Sequence, residues 1–269
     1  MNSICCEIIK TCPLSCLHCS AKSHMNTNRL IPFSDIKKII SEAPNTLETF
    51  FISGGEPLLH PEINEIISFI KSKQIKPIIY SSGCDIKRDN KTLQPISIKK
   101  LQELEESGLK SIVFSLYSLK EKTHDNFTNT PKSLTILKQT LENTKLLKST
   151  DIELSFLPLK STWEEASDII KFSKKYNISK INILKLINQG RAKENGLSLQ
   201  DLSKKEEQSF LKLIKSQANI DPTIEISKLY DCDHYAELQI SPYTAGVNES
   251  FITYNQNHLQ GRRFRDLAK

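Results

Sequence analysis

The amino-acid sequence predicts an α/β fold made of six strand-helix units, and two observations carry this prediction. From residue 4 to about residue 185, short runs of β-branched residues alternate with longer segments of helical period, the pattern of a parallel sheet covered by helices. Six units within fewer than ~200 residues are too few for a closed eight-stranded barrel, which usually needs about 250. We therefore expect a sheet that forms part of a barrel.

The predicted strands are the β-branched runs, in chain order Ile4–Lys10, Glu48–Ser53, Pro77–Ser81, Ser111–Ser115, Ile152–Leu157 and Lys180–Lys185. Between them, apolar residues recur at the spacing of one buried helix face, for example at Ile63, Ile66, Ile67 and Ile70. Two serine or threonine residues have a glutamate three positions later, the spacing of a helix capping box: Thr162 with Glu165, and Ser203 with Glu206. Ligands bind at the carboxyl ends of the strands in such folds, so we expect the functional residues there.

The sequence after Arg191 changes character and predicts a second unit. Residues 1–191 form the predicted core, and residues 192–269 form a C-terminal extension. The extension contains a turn-rich stretch, one amphipathic helix near Leu202–Lys215 and a weakly patterned tail. We expect it to cover one side of the core.

Composition and charge exclude several classes of protein. The net charge of +6 comes from lysines spread along the chain, so we expect no nucleic-acid partner. No segment approaches the ~18 consecutive apolar residues of a membrane span. The N-terminus has neither the basic nor the apolar region of a secretory signal, so we expect a cytoplasmic protein. Seven cysteines, an odd number, fit reduced thiols and metal ligation better than disulfide bonds.

Three closely spaced cysteines, Cys12, Cys16 and Cys19, form the most informative motif. A cubane iron–sulfur cluster normally takes four thiolates, so a group of three leaves one iron open to another ligand. An open iron carries out chemistry, whereas a closed one transfers electrons or stabilises structure. The alternative is a zinc site, because His24 could complete a Cys₃His tetrahedron with the same three cysteines.

A second motif, Ser53-Gly54-Gly55-Glu56-Pro57, follows an apolar run. Two of only eight glycines are adjacent here, which predicts a backbone brought close to a ligand at a strand end. A zinc knuckle gives no reason for this second motif. The two motifs in this order therefore favour an iron–sulfur enzyme.

The CxxxCxxC spacing followed by Gly54-Gly55-Glu56-Pro57 resembles the radical S-adenosylmethionine (radical SAM) enzymes, over the range from Ile4 to Arg191. The resemblance implies a partial (β/α)₆ barrel and two cofactors, a [4Fe-4S] cluster bound by Cys12, Cys16 and Cys19, and S-adenosylmethionine. In that family the reduced cluster cleaves S-adenosylmethionine to a 5′-deoxyadenosyl radical, which abstracts hydrogen from the substrate. The electron donor it implies is a low-potential flavodoxin or ferredoxin.

The resemblance also assigns residues to S-adenosylmethionine: His18, Gly54, Gly55, Glu56, Pro57, Ser81, Ser115, Thr128 and Leu186. The Gly-Gly-Glu-Pro motif matches the family's contact with the amino group, since a carboxylate binds an ammonium. The two serines match its ribose and carboxylate contacts. His18 takes the place of an aromatic residue near the cofactor, with an exposed loop residue as the alternative, and Leu186 is assigned to adenine, with core packing as the alternative.

The chain departs from the family pattern at two of these places. Tyr117 stands where relatives often have an aspartate, and Thr128 stands where they often have an arginine that pairs with the carboxylate of S-adenosylmethionine. The loss of that arginine removes a charge-assisted contact.

The C-terminal part resembles the SPASM and twitch types of peptide-modifying relatives, which bind auxiliary clusters. Gln189-Gly190-Arg191-Ala192 resembles the segment before their auxiliary region, and Thr244-Ala245-Gly246 resembles its start. Tyr243 stands where a cysteine is expected, and Cys232 is the single cysteine after Arg191, so we expect no second complete cluster.

The function that the resemblance implies is the modification of a peptide or protein side chain. A small metabolite is the alternative substrate. A non-catalytic electron carrier or scaffold is the alternative function, and the changes at Tyr117 and Thr128 keep it open.

Overall fold

The computed structural model describes residues 3–87, 92–184 and 186–218, together with the strand residues 225–226, 238–241 and 252–254. Six strands lie side by side, parallel and in chain order: β1 (Ser3–Ile9), β2 (Thr49–Gly54), β3 (Lys76–Ser81), β6 (Ser111–Leu116), β7 (Asp151–Phe156) and β8 (Lys180–Ile183). These are the six predicted strands. The predicted fold class, a partial (β/α)₆ barrel, is confirmed.

Five further strands were not predicted from the sequence: β4 (Cys84–Ile86), β5 (Leu93–Pro95), β9 (Glu225–Ile226), β10 (Leu238–Ser241) and β11 (Ile252–Tyr254). β4 and β5 form an antiparallel hairpin after β3. β9 extends the main sheet beside β8, whereas β10 pairs with β1 and β11 pairs with β10. Each is two to four residues long, too short for a clear period of two.

Helices connect the parallel strands, and the described residues contain eight of them: α1 (Phe33–Ser41), α2 (Ile63–Ser72), α3 (Ile98–Glu106), α4 (Glu121–Thr128), α5 (Ser133–Thr144), α6 (Ala166–Lys175), α7 (Arg191–Glu194) and α8 (Lys204–Ala218). The predicted helix at Leu202–Lys215 is α8. Its predicted capping box is confirmed, because Ser203 donates its backbone N–H and its hydroxyl to Glu206 and accepts the Glu206 N–H at 3.3 Å.

The other predicted capping box, Thr162 with Glu165, is wrong. The Thr162 hydroxyl accepts the Leu159 N–H instead of capping a helix, and α6 begins only after a 3₁₀ turn at Trp163–Glu165. The Glu165 carboxylate lies in the interior, where it accepts the Ser118 hydroxyl at 2.8 Å and the Leu119 N–H at 2.7 Å. A buried carboxylate needs such donors, and this tertiary requirement prevails over the local pattern.

The core lies between the sheet and the helices. The predicted apolar face of α2 is buried throughout, at Ile63, Ile66, Ile67 and Ile70. Phe50, Phe114 and Phe156, on three of the parallel strands, are fully buried as well. Each such side chain contributes roughly 1.5–3 kcal/mol through burial. This packing fixes the strands and therefore the loops that leave their carboxyl ends.

Among the described residues, none of the helices combines the length and the apolar character that a membrane crossing requires. The predicted boundary between core and extension at residue 191 stays a prediction.

Candidate functional site

The first feature of the site is the cysteine loop, residues 10–32, which connects β1 to α1 and carries all three cysteines of the motif. Cys12 is buried, and Cys16 and Cys19 are half-buried. Burial raises the pKa of Cys12, and the neighbouring thiols of Cys16 and Cys19 raise it further. Burial and then Cys19 likewise raise the pKa of Cys16 to about 12. At Cys12 and Cys16, burial thus disfavours the thiolate unless a cation balances its charge.

Three thiols on one loop are the donor set of a cubane cluster with one open iron. Within the described parts of the chain, no three His, Cys, Asp or Glu side chains are arranged to hold one metal ion. A zinc site needs all its sulfurs at about 2.3 Å from one centre. A cubane binds each thiolate to a different iron, so its thiols need not converge on one point. His24, the fourth ligand of the zinc alternative, accepts the Asn26 N–H on Nδ1 at 3.2 Å.

The glycines of the second motif hold the cysteine loop against the end of β2. The Gly55 N–H donates to the Ile9 carbonyl at 2.6 Å, and the Glu56 N–H donates to the Thr11 carbonyl at 2.8 Å. A Cβ atom at Gly55 would lie 2.2 Å from the Thr11 oxygen, and one at Gly54 would lie 2.2 Å from the Ile9 oxygen. Gly54 also has a φ of +132°, which favours glycine. Glycine is therefore required because two backbones touch here.

Glu56 is the buried carboxylate of the site, with 0% of its surface exposed. Its Oε2 accepts the Ser82 N–H at 2.8 Å and the Ser82 hydroxyl at 2.6 Å, and its Oε1 accepts the Leu58 N–H at 3.4 Å. Burial raises the pKa of Glu56, against the opposing effect of these hydrogen bonds and of one from the Ser81 side chain. Its charge raises the pKa values of Cys12 and Cys16.

Ser82 is a site residue that the sequence interpretation missed, although its neighbour Ser81 was assigned. Ser81 is buried at the end of β3, and its hydroxyl accepts the Gly83 N–H at 3.0 Å. Ser82 follows the strand and supplies both hydrogen bonds to Glu56 Oε2. The sequence feature that could have identified Ser82 is its position between Ser81 and Gly83 at the end of a predicted strand. Pro57, the last residue of the Gly-Gly-Glu-Pro motif, is buried at the start of a 3₁₀ turn.

His18, Tyr117 and Phe127 form an aromatic group beside the cysteines. The His18 ring stacks on Phe127 with 4.8 Å between centroids, and its Nε2 lies 3.1 Å from the Tyr117 hydroxyl. Burial, and secondarily the Cys16 thiol, raise the pKa of Tyr117, and a hydrogen bond from Ser115 opposes them. Tyr117 thus connects the predicted residues His18 and Ser115.

His18 also carries an unsatisfied atom. Its Nδ1 is buried and makes no hydrogen bond within the described residues. Burial lowers the pKa of His18 to about 4, so the ring is neutral at neutral pH. A neutral imidazole with one nitrogen held by Tyr117 has the other available for a ligand.

The remaining two predicted residues lie at the edge of this group. The Thr128 hydroxyl is buried at the end of α4 and lies 2.7 Å from the Ser133 hydroxyl and 3.1 Å from the Asp125 carbonyl. Leu186 is buried in an apolar cluster against which Tyr117 and Phe127 pack. Both side chains already have protein partners, and their contact with S-adenosylmethionine stays a prediction.

The Gln189-Gly190-Arg191 motif is brought to the cysteine loop. The Arg191 side chain donates to the Cys16 carbonyl at 2.7 Å and to the Ser23 carbonyl at 2.9 Å. The residues of the auxiliary-region interpretation, Cys232, Tyr243 and Thr244-Ala245-Gly246, lie outside the described residues.

Fold and site together define a class of protein: a parallel (β/α)₆ partial barrel that carries a three-cysteine loop and a buried carboxylate at the carboxyl ends of its strands. The model of the Radical SAM superfamily matches residues 6–193, more than half of the chain. The chain therefore belongs to the Radical SAM superfamily. Members are enzymes that bind a [4Fe-4S] cluster and S-adenosylmethionine and that need a reductant, so the predicted enzyme class and cofactors are confirmed.

Sequence relatives match the core. A probable GTP 3′,8-cyclase of Methanococcus vannielii is 28% identical over 172 residues, which cover 63% of this chain and 54% of the relative. An AdoMet-dependent heme synthase of Methanosarcina barkeri is 24% identical over 193 residues, which cover 70% of this chain and 52% of the relative. The chain thus spans about half the length of the curated relatives it matches.

Solved structures match more of the chain. SuiB of Streptococcus suis bound to S-adenosylmethionine has a TM-score of 0.69 at 13% identity, and the match covers 98% of this chain and 63% of SuiB. SuiB bound to the precursor peptide SuiA has a TM-score of 0.66 at 13% identity, with 98% and 62% covered. At this identity the likeness establishes the fold alone.

Proposed function

We propose that this chain cleaves S-adenosylmethionine reductively and uses the resulting 5′-deoxyadenosyl radical to abstract hydrogen from a peptide or protein side chain. One observation supports the proposed cleavage of S-adenosylmethionine. The backbone of the cysteine loop is hydrogen-bonded to Gly55 and Glu56, so the loop that carries the three thiols lies beside the residue that carries the buried carboxylate. Such a combination suits a metal cluster next to a cationic amino group.

Each of the chain's own groups has a distinct task in this proposal. Cys12, Cys16 and Cys19 hold the cluster, which when bound supplies the electron for the cleavage. Glu56 accepts the ammonium of S-adenosylmethionine, because a fully buried carboxylate with neutral partners gains most from a cation. His18 orients the adenosyl part with its free Nδ1, and the neighbouring aromatic rings exclude water from it.

Anaerobic reconstitution with iron and sulfide, followed by dithionite and S-adenosylmethionine, tests the cleavage. We expect a [4Fe-4S]⁺ electron paramagnetic resonance signal that shifts when S-adenosylmethionine is added, and 5′-deoxyadenosine in the product mixture. Cys16→Ala should abolish both. Cys5→Ser is the matched control, because Cys5 lies on β1 outside the cysteine loop and should leave both intact. A signal indifferent to S-adenosylmethionine would favour the electron-carrier alternative instead.

The proposal of a peptide substrate rests on the extent of the structural match. SuiB bound to SuiA covers 98% of this chain, whereas the sequence relatives that act on other substrates by name cover 63% and 70%. The likeness to a structure that holds a precursor peptide supports the proposal of a peptide substrate.

A small metabolite is the second candidate, and the names of the sequence relatives favour it. One is named a GTP 3′,8-cyclase and the other a heme synthase, at 28% and 24% identity. Hydrogen transfer separates the candidates. Each compound is offered in deuterated form, and deuterium in 5′-deoxyadenosine identifies the substrate. Transfer from GTP or a porphyrin, with none from peptides encoded beside this gene, would overturn the peptide proposal.

A further inference from the structure

A short segment after β8 lies against the cysteine loop. We name residues 190–195 the clamp segment; it contains α7. The backbone N–H of Arg191 donates to the Cys19 carbonyl at 3.0 Å, and the side-chain amide of Asn195 donates to the Leu17 carbonyl at 2.9 Å. Glu194 forms an ion pair with Lys22 at the rim of the loop. One turn of helix thus contacts the loop at successive positions around the cysteines.

The Arg191 side chain makes the most extensive of these contacts. Its Nε donates to the Cys16 carbonyl at 2.7 Å, and its Nη2 donates to the Ser23 carbonyl at 2.9 Å. The two carbonyls lie on either side of Cys19 in the sequence. A rigid guanidinium can bridge two acceptors in this way, whereas a single ammonium cannot hold both with the same geometry.

Gly190 makes the approach possible. Its φ is +58°, and a Cβ atom there would lie 2.1 Å from the Ser20 carbonyl oxygen and 2.7 Å from that of Cys19. Both the conformation and the available space require glycine. The clamp segment and the cysteine loop are therefore in direct backbone contact.

The charge of Arg191 reaches the cluster ligands. The guanidinium donates to the backbone carbonyl of Cys16 at 2.7 Å, so its positive charge lies next to this cysteine. A cluster gains negative charge on reduction, so a fixed cation beside one of its thiolates favours the reduced state.

We propose that Arg191 is a positioning residue that holds the cysteine loop in its cluster-binding shape and favours the reduced cluster. This inference rests on the proposed function, because it takes the three cysteines as the cluster ligands. It assigns to the Gln-Gly-Arg motif a role in the core itself, independent of any auxiliary cluster.

The first test uses the protein without a cluster. Hydrogen exchange, followed by mass spectrometry of peptides spanning residues 12–24, reports the opening of the loop. In Arg191→Gln we expect exchange to be about tenfold faster or more, since two charge-assisted hydrogen bonds are lost. Glu194→Gln is the matched control, because it removes only the exposed ion pair of the same segment, and its exchange should stay within about twofold of wild type.

The second test uses the reconstituted protein and separates charge from geometry. Arg191→Gln should lose iron to a chelator faster than wild type and should have a more negative midpoint potential. Arg191→Lys keeps the charge without the bridge, so it should lose iron faster while its potential stays near the wild-type value. Equal potentials in all three proteins would overturn the electrostatic part, and wild-type exchange and iron retention in Arg191→Gln would overturn the positioning part.

Gly190→Ala provides an independent variant, since it pushes the clamp segment away without changing the guanidinium. We expect faster exchange over residues 12–24 and faster iron loss. The hydrogen-exchange measurement needs no cluster, so it tests the role of Arg191 separately from the proposed function. If wild type binds no cluster, the proposed function fails, whereas if wild type binds one and the Arg191 and Gly190 variants equal it, the clamp fails.

Discussion

Replacing Glu56 with glutamine removes one negative charge from the site with the least change in shape. An amide oxygen in the place of Oε2 still accepts the N–H and the hydroxyl of Ser82, at 2.8 and 2.6 Å in the native protein. The contact that is lost, from the Leu58 N–H to Oε1, is the longest at 3.4 Å. Burial already disfavours the charged carboxylate, so we expect the variant to fold with unchanged or slightly higher stability.

Binding of S-adenosylmethionine should fall sharply in the same variant. A hydrogen bond between charged groups contributes about 1.5–3 kcal/mol. Because about 1.4 kcal/mol corresponds to a factor of ten, Glu56→Gln should weaken the affinity by roughly 10- to 100-fold.

Equilibrium dialysis of S-adenosylmethionine against the reconstituted protein measures this change, with iron content recorded to show that the cluster is retained. Glu153→Gln is the matched control. Glu153 lies on β7, accepts hydrogen bonds from Ser111 at the start of β6 and from Asn182 of β8, and is not one of the residues assigned to S-adenosylmethionine. If Glu56→Gln retains iron and binds S-adenosylmethionine within about twofold of wild type, the carboxylate does not bind the ammonium and the assignment is refuted.

Three further predictions follow from the same geometry. Gly55→Ala should lower the unfolding free energy by about 1–3 kcal/mol and reduce iron content, because its Cβ would collide with the Thr11 carbonyl. Gly196→Ala, at a φ of +62° but with open space around the Cβ, should lose stability through backbone strain alone and keep its iron. Tyr117→Phe should keep the cluster but weaken S-adenosylmethionine binding about fivefold, since His18 loses a hydrogen bond of about 1 kcal/mol; unchanged affinity would contradict this. Burial lowers the pKa of His124 to about 4, so below pH ~6.5 the unfolded chain takes up the proton first and stability falls as pH decreases. Urea unfolding of the cluster-free protein should show that His124→Asn loses about 2 kcal/mol less than wild type between pH 7 and pH 5, and an equal loss would refute the buried neutral ring.

The parallel core could be predicted from the sequence because each of its strands carries its own signal. β-branched residues buried on both faces give continuous apolar runs, and the helices between them show a period of 3.6. The strands β9, β10 and β11 could not be predicted in the same way. They are two to four residues long and are defined by the neighbours they pair with, and pairing is not encoded in a short local pattern.

The site could be predicted where a residue type is required by chemistry, as with the three cysteines, or by close contact, as with Gly54 and Gly55. Supporting residues were harder to find. Ser82 donates to the carboxylate of Glu56, 26 positions away, and Arg191 donates to the backbone carbonyl of Cys16, 175 positions away. Such contacts exist only once the strands are assembled. Tyr117 was recognised as a departure from the family pattern, but only the structure shows that its hydroxyl lies against His18.

The burial of Glu56 also distinguishes between the enzyme and the electron-carrier alternatives. A fully buried carboxylate whose described hydrogen-bond donors, in Ser81, Ser82 and Leu58, are all neutral lowers the stability of the protein, since desolvation is only partly offset by hydrogen bonds. Its negative charge also raises the pKa of the Cys12 thiol, which opposes cluster binding. A protein that only transfers electrons gains nothing from either effect. In a protein that binds a cationic amino group beside its cluster, the ammonium neutralises the carboxylate in the same buried space. This offsets both the loss of stability and the effect on the pKa of Cys12.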